Sequence, residues 1–392
     1  MHLEHQKCFN VATEWVASFN RQLAESFESS ERSSALFFAE SFWRNALGLA
    51  WNLETITGHK NIVIELRDTA VHAGMSDIVL DCSASPPQWV NRADTHAIEA
   101  FIKFETKYTH GRGIIRLCPT ESVAEGTSAG QQWRAWTFFT AIDTLKGHEE
   151  KLDSNRPTGS SYSRDFRGPN WLDKRQLAEK YQDRDPCVLV VGGGQAGLSI
   201  AARLTQLGVD TLIVDRNERI GDNWRNRYHA LTLHNQLQVN HLPYMPFPPT
   251  WPTYIPKDML ALWFESYAAA MELNFWTQCE VTKVNYDNKG GRWQVTLRTA
   301  EDGERYMSPR HVIMATGVSG IPNLPKIDSL SAFKGPALHS SQYHDGEDWS
   351  GKHAIVIGCG NSGHDISQDL YSSGAKVTMI QRSPSLVVNI EP

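Results

Sequence analysis

CVLVVGGGQAGL, residues Cys187–Leu198, decides the fold of the larger part of this 392-residue chain. A short β-branched run, Val188 to Val191, leads into Gly192-x-Gly194-x-x-Gly197. Apolar residues at helical spacing follow (Leu198, Ala201, Leu204, Leu207), closed by Gly208; a second apolar run, Thr211–Val214, then ends at Asp215. Strand, glycine turn, helix, strand and acid form the dinucleotide-binding fingerprint in its full context. Gly192 permits the tight turn, Gly194 lets the backbone approach a pyrophosphate, and Gly197 lets the helix pack closely on the strand. The first helical turn, with Gln195 and Ala196, offers unpaired N–H groups and the positive end of the helix dipole to phosphates. Asp215 is placed to accept from a ribose hydroxyl, with Arg216 beside it.

The same logic recurs near the end of the chain. Ala354–Ile357 runs into Gly358-Cys359-Gly360-Asn361-Ser362-Gly363, followed by a predicted helix over Asp365–Tyr371, a stop at Gly374 and a strand over Lys376–Ile380. After the second strand the first copy has Asp215, whereas this one has Gln381-Arg382-Ser383. Loss of the acid and gain of a cation with a hydroxyl is the change that a 2′-phosphate requires, so the second site reads as one for NADPH.

Composition narrows the remaining classes. Hydrophobic residues make up 41% and charged residues 21%, as in globular proteins, and 38 basic against 44 acidic residues give a net charge of −6. That balance argues against general nucleic-acid binding. No apolar run approaches the roughly 18–20 residues of a membrane span, and MHLEHQKCFN has no signal-peptide character. Six cysteines without a CxxC pair point to free thiols in a reducing compartment, with the cytoplasm as the expected location and no metal site.

Residues 1–150 carry no glycine fingerprint. Val11, Trp15, Phe19, Leu23 and Phe27 predict a helix, and Ala35–Leu53 predicts another through Phe38, Phe42, Trp43, Leu47 and Trp51. Strand-like runs follow at Ile62–Leu66, Ile78–Leu80, Ala97–Thr106, Gly113–Cys118 and Trp133–Ile142. Helices before strands imply an α+β domain with a curved antiparallel sheet. Asp68, His72 and Asp81 are of the type used for acid–base work, but polar turns and solvated strand ends account for them more simply. Residues 151–184 read as a Ser/Gly/Pro-rich linker with a short helix capped by Asn170.

Several phrases carry resemblances to known families. The order of elements in 1–150, with FWRNALGLAWNLETITG and WRAWTFFTAIDTLKGHEE, resembles NTF2-like (SnoaL-like) domains; a packing or oligomerisation role, hence a homodimer, is the expectation for it. From Pro186 onward the chain resembles class B flavin-dependent monooxygenases. The spacing from Asp215 to Gly221 and Trp224 is similar to their acid-x(4–5)-G-G-x-W segment, with Asp222 where a second glycine is common. PYMPFPPTWPTYIPKD resembles the segment between their flavin loop and a helix, here predicted to start at Lys257-Asp258. Val281–Tyr286 and Trp293–Leu297 read as a hairpin. Ala315-Thr316-Gly317 resembles their ATG segment, and Phe333-x-Gly335-x-x-x-His339-x-x-x-Tyr343 resembles their FxGxxxHxxxY signature. Tyr343 followed by His344, in place of Trp with Pro or Asp, favours the heteroatom-oxygenating and YUCCA-like branches over the Baeyer–Villiger one.

The resemblance implies an α/β fold with two Rossmann-like dinucleotide-binding domains, the second incomplete, behind an α+β NTF2-like cone domain: FAD on 185–330 and NADPH on 331–392. It implies NADPH-dependent insertion of one oxygen atom from O2 into a small organic substrate through a C4a-(hydro)peroxyflavin. FAD contacts are expected from Gly192–Gly197, Asp215, Arg216, Gly221, Trp224, His234, Val281 and Ala315–Gly317. NADPH contacts are expected from Gly358, Gly360, Asn361, Ser362, Gly363, Arg382 and Ser383. Asn235 is expected beside the reacting flavin, and His339 is expected to couple NADP placement to the flavin site. Members of that family run on for about another domain beyond the position of Pro392, so the sequence reads first as a fragment, with a natural short product or completion by a partner as alternatives. Two other functions stay open: a truncated, non-catalytic nucleotide or ligand binder, and an FAD/NAD(P)-dependent reductase.

Overall fold

The computed structural model describes residues 2–120, 132–158, 166–300 and 303–387, and divides into two units, 1–150 and 151–392. Part of the Ser/Gly-rich run (159–165) and the end of the second nucleotide-binding region (388–392) lie outside the described residues.

The first unit runs α1 (His2–Ala24), α2 (Ser30–Ser34), β1 (Phe37–Ala46), β2 (Leu53–Thr57), α3 (His59–Ala73), β3 (Val79–Leu80), β4 (Gln88–Arg92), β5 (Thr95–Glu105), β6 (Thr109–Pro119) and β7 (Trp133–Leu145). Among the described residues its strands form one seven-stranded sheet, β2-β1-β7-β6-β5-β3, with β4 also on β5. β1 pairs with β7 in parallel, and the other ladders are antiparallel.

Two sequence expectations are corrected here. The helix predicted over Ala35–Leu53 is the strand β1, in which Ser41, Trp43 and Asn45 are buried in alternation while Phe42 is exposed. The strand predicted over Ile62–Leu66 lies inside α3, whose buried residues Ile62, Val63, Leu66 and Ala70 fall on one helical face. Gly58 (φ 86°) and Gly74 (φ 63°) bound that helix with conformations that L side chains disfavour.

Between helices and sheet the space is filled with rings. Trp15, Phe19, Phe27, Phe37, Trp43 and Phe138 are all buried, with neighbouring centroids 5.4–6.2 Å apart. Each such side chain contributes about 1.5–3 kcal/mol on burial. Trp43 Nε1 donates to Thr140 Oγ1 (2.9 Å), which donates to Asn45 Oδ1 (3.2 Å), while the buried Ser41 hydroxyl on the same strand has no hydrogen-bond partner among the described residues. Asp68 and His72 are exposed on α3, and Asp81 is held by Ser83 (2.5 Å) and Lys103 (3.0 Å); the three do not form one acid–base cluster.

The second unit runs α4 (Trp171–Lys180), β8 (Val188–Val191), α5 (Gln195–Gln206), β9 (Thr211–Val214), α6 (Asp222–Arg225), α7 (Lys257–Ala270), β10 (Asn274–Trp276), β11 (Cys279–Asp287), β12 (Arg292–Thr299), β13 (Gly303–Met307), β14 (His311–Met314), β15 (His353–Ile357), α8 (Asn361–Ser372) and β16 (Lys376–Ile380). A four-stranded parallel sheet has the order β10-β9-β8-β14, the 3-2-1-4 order of a dinucleotide-binding domain. β8 and β9 are buried on both faces. Val188 and Val190 meet a cluster that includes Leu198, Ala201, Phe264 and Tyr267; Leu189 and Leu212 meet a second one with Val295, Leu297 and Met307. The parallel sheet is thus sandwiched between helices α5/α7 and the antiparallel meander β11-β12-β13.

Asn170 caps α4 in a capping box with Asp173 (3.0 and 2.9 Å). Tyr181, just after it, is buried and donates its hydroxyl to Asp210 (2.7 Å), so this end of the 151–184 stretch is fastened to the sheet. β15, α8 and β16 form a separate parallel β-α-β unit.

Candidate functional site

The two glycine turns are near copies. Gly192 and Gly358 have φ of 106° and 115°, a region open to glycine, and each donates its N–H to the end of the neighbouring strand, Val214 O and Ile380 O, at 2.9 Å. A Cβ on Gly197 would lie 2.0 Å from Gly192 O, and one on Gly363 would lie 2.4 Å from Gly358 O. Both third glycines are therefore required by close helix–strand approach. Gly194 and Gly360 stand at the N-caps of α5 and α8 with matching backbones (φ −78°, ψ −172° and φ −76°, ψ 175°). In front of them there is room. A Cβ on Gly194 would meet only the Asn223 amide, at 3.2 Å, and one on Gly360 would meet nothing within 4 Å. This open approach to two helix N-termini fits a pyrophosphate at each.

At the first turn the acid is already at work. Asp215 Oδ2 accepts the Gly193 N–H (2.6 Å) and Oδ1 accepts that of Asn217 (2.8 Å). Each carboxylate oxygen retains a second lone pair, so a ribose hydroxyl can still be accepted. Arg216 reaches Gly320 O at 3.4 Å. The Ala315 N–H donates to Val191 O (2.8 Å), and Ala315 O packs where a Cβ on Gly192 would be, 2.5 Å away. Ala315-Thr316-Gly317 therefore leaves the sheet beside the glycine turn, between β8 and β14, where the strand order reverses and such sheets bind ligands.

Gly221 (φ 89°) touches α7, since its Cβ would lie 2.4 Å from Ala261 O. Asp222, at the position where a glycine is common, is buried and accepts the Arg219 N–H (3.0 Å) while pairing with Arg225, so its carboxylate braces the loop. Trp224 donates from Nε1 to Gln195 Oε1 (3.2 Å), joining this loop to the first turn of α5. Val281 sits at a bulge in β11 with its side chain against the core of the meander.

The remaining expected residues are dispersed. Asn235 is exposed, and its carbonyl accepts from Asn240 (3.1 Å). His339 caps a short turn: its Nδ1 accepts the Ser341 N–H (3.1 Å), while its own N–H donates to Gln342 (2.9 Å). Arg382 and Ser383 are exposed just past β16, at the strand end where the first copy has its acid.

Sequence reasoning missed what joins the two halves. Tyr228, buried, donates to Asp365 Oδ2 (2.6 Å), and His234 Nε2 lies 2.9 Å from the same oxygen. One turn along α8, Asp369 accepts from the buried Tyr343 hydroxyl (2.6 Å), and the His229 N–H donates to His344 O (2.8 Å). Burial first, then the facing carboxylate, raises the pKa of both tyrosines above the ordinary phenol value and keeps their protons in place. The visible signal was the pair Asp365 and Asp369, each one residue before a buried helix position, Ile366 and Leu370.

All six cysteines are free, and burial pushes the Cys279 thiol up to about 11. Among the described residues there is no His/Cys/Asp/Glu group suited to a metal ion, and no helix is long and apolar enough to cross a membrane.

Comparison with known proteins agrees with this geometry. The family described as pyridine nucleotide-disulphide oxidoreductase matches residues 189–390. The chain is 35% identical to the indole-3-pyruvate monooxygenase YUCCA1 of Oryza sativa subsp. japonica, over 54% of this chain and 52% of that protein. It is 36% identical to YUCCA8 of Oryza sativa subsp. indica, over 50% and 49%. It thus spans about half the length of the curated relatives it matches. A flavin-containing monooxygenase from Stenotrophomonas maltophilia aligns with 30% identity and a TM-score of 0.47, over 51% of this chain and 59% of that one.

Proposed function

Because this chain belongs to the pyridine nucleotide-disulphide oxidoreductase family, we propose that it is the FAD- and NADPH-binding part of a flavin monooxygenase that inserts one atom of O2 into a small organic substrate. The observation that carries this is the pair of matched glycine turns with opposite chemistry after the second strand, Asp215 in one and Arg382 with Ser383 in the other. An acid suits a ribose diol, and a cation with a hydroxyl suits a 2′-phosphate. The family's name suggests disulphide chemistry, but the free cysteines include no CxxC pair, and the buried Cys279 holds its proton; neither supports a dithiol relay.

In this reading Gly194 and the first turn of α5 receive the FAD pyrophosphate, Asp215 accepts a ribose hydroxyl, and Ala315–Gly317 and Trp224 border the same end of the sheet. Gly360, Asn361 and Ser362 receive the NADPH pyrophosphate, and Arg382 pairs with its 2′-phosphate. Bound FAD, reduced by NADPH, supplies the activation of O2. The chain orients the two nucleotides and excludes water. The relatives' names make indole-3-pyruvate a substrate to test beside amines and thioethers. Residues 1–150 fit an NTF2-like packing domain better than a ligand cup, because rings fill the space between helices and sheet.

The test is to purify the chain, add FAD, and follow NADPH oxidation, O2 uptake and incorporation of label from 18O2 across that substrate panel. Flavin binding with one labelled oxygen per product supports the reading. A folded protein without flavin affinity overturns it.

A further inference from the structure

Asp365 Oδ2 holds two side chains from one loop: the hydroxyl of Tyr228 at 2.6 Å and Nε2 of His234 at 2.9 Å. That loop follows α6 in the first nucleotide-binding region, whereas Asp365 lies four residues past Asn361, the first residue of the helix that opens at the second turn. Mechanical docking of this helix does not need the imidazole, because Tyr343 on Asp369 and His229 on His344 O already tie the segments together. What Asp365 adds is a grip on a ring. A carboxylate on Nε2 keeps a proton there and leaves Nδ1 of the neutral ring as an acceptor, so it sets both tautomer and orientation. The ring is 37% exposed, so it is not merely core packing.

We propose that Asp365 is a positioning residue that transmits nucleotide binding at the second turn to His234, coupling NADP occupancy to the flavin side. A phosphate group seated at Gly360 pulls on the first turns of α8, and Asp365 is the side chain of that helix that holds His234, while Ser362 reaches Tyr228 of the same loop. The proposal rests on the NADPH reading of the second turn. Tyr228, buried, anchors the same carboxylate to that loop.

The experiment uses the full chain with 15N-histidine labelling. FAD affinity is measured with and without NADP+, and the His234 ring signals are followed by NMR. In the wild type NADP+ tightens FAD binding by roughly tenfold, within the usual range of such couplings, and shifts the His234 signals. In Asp365→Asn, NADP+ still binds, but the tightening falls below about twofold and the His234 signals stay still. Tyr343→Phe, which loosens the neighbouring rung only, keeps the coupling. If Asp365→Asn does not fold, His234→Gln serves in its place and also loses the coupling. Full coupling in a folded Asp365→Asn or in His234→Gln overturns the proposal, as does equal loss in Tyr343→Phe. A wild type that binds both nucleotides without coupling overturns this inference alone, and one that binds neither overturns the functional reading with it.

Discussion

His234 Nε2 and Asp365 Oδ2 stand 2.9 Å apart across 131 residues of sequence, one on the loop after α6 in the first nucleotide-binding region and the other on the helix that begins at the second glycine turn. The two nucleotide-binding elements of this chain are therefore joined by side chains, not only by sequence. One helical turn away Asp369 and Tyr343 form a second rung, internal to the 331–392 region, which meets the loop through the His229 N–H on His344 O (2.8 Å).

That second rung has a measurable weight. Tyr343 is 8% exposed and donates to a carboxylate, so Tyr343→Phe leaves Asp369 with an unmet acceptor. The expected loss is about 1.5–3 kcal/mol in urea unfolding of the second unit. A change below roughly 0.5 kcal/mol would mean that water replaces the hydroxyl without cost.

Gly197→Ala is expected to damage the fold itself. Its Cβ would enter to 2.0 Å of Gly192 O, a backbone atom that moves only with the turn. The variant should lose several kcal/mol of stability or fail to express as a soluble chain. Wild-type stability in a calorimetric scan would show that the helix can lift off the strand cheaply.

Both turns were legible in the sequence because a glycine requirement is local: Gly192, Gly197, Gly358 and Gly363 are needed by backbone geometry within a few residues of themselves. The same holds for the Asn170 cap. The exchange of helix and strand in the first unit was not legible. FFAESFWRNA shows apolar residues at both spacings, and β1 forms because Trp43 lies beside Phe138 on a strand far along the chain. β10 and β13 are too short for a pattern to rise above chance. The Asp365 contacts escaped for the same reason as β1, since their partners are distant in sequence.

Arg382 should set the choice between nicotinamide nucleotides. Arg382→Ala is expected to weaken NADPH binding by about ten- to a hundredfold while leaving NADH unchanged, as the loss of one charge-assisted phosphate contact implies. Titration with both nucleotides decides it. An equal effect on the two would assign the arginine to stability or to the pyrophosphate.

Glu99 gives a pH signature in the first unit. Burial alone would raise its pKa, but hydrogen bonds and charge from Arg92 (3.2 Å) and Arg116 (2.7 Å) outweigh it and hold the carboxyl below its ordinary 4.5. A depressed folded pKa contributes stability that is fully present above the unfolded value and lost as pH falls through the folded one. Glu99→Gln should therefore be less stable than wild type by about 1–2 kcal/mol near neutrality, because the carboxylate is buried but its arginine partners are partly exposed and solvent screens them. The gap should narrow as pH falls below 4.5 and through the depressed folded pKa. A gap independent of pH from 3 to 7 would contradict the assignment.

The division of labour between the two turns is tested most directly by equilibrium binding of FAD and of NADPH to the wild type, Gly194→Ala and Gly360→Ala. Both substitutions fall where a methyl group meets little protein, so the fold should survive. Gly194→Ala is predicted to lose FAD by at least about tenfold and to keep NADPH within about threefold, and Gly360→Ala is predicted to do the reverse. Retention of both nucleotides by both variants, or loss of the same nucleotide from each, would contradict the assignment of FAD to the first turn and NADPH to the second.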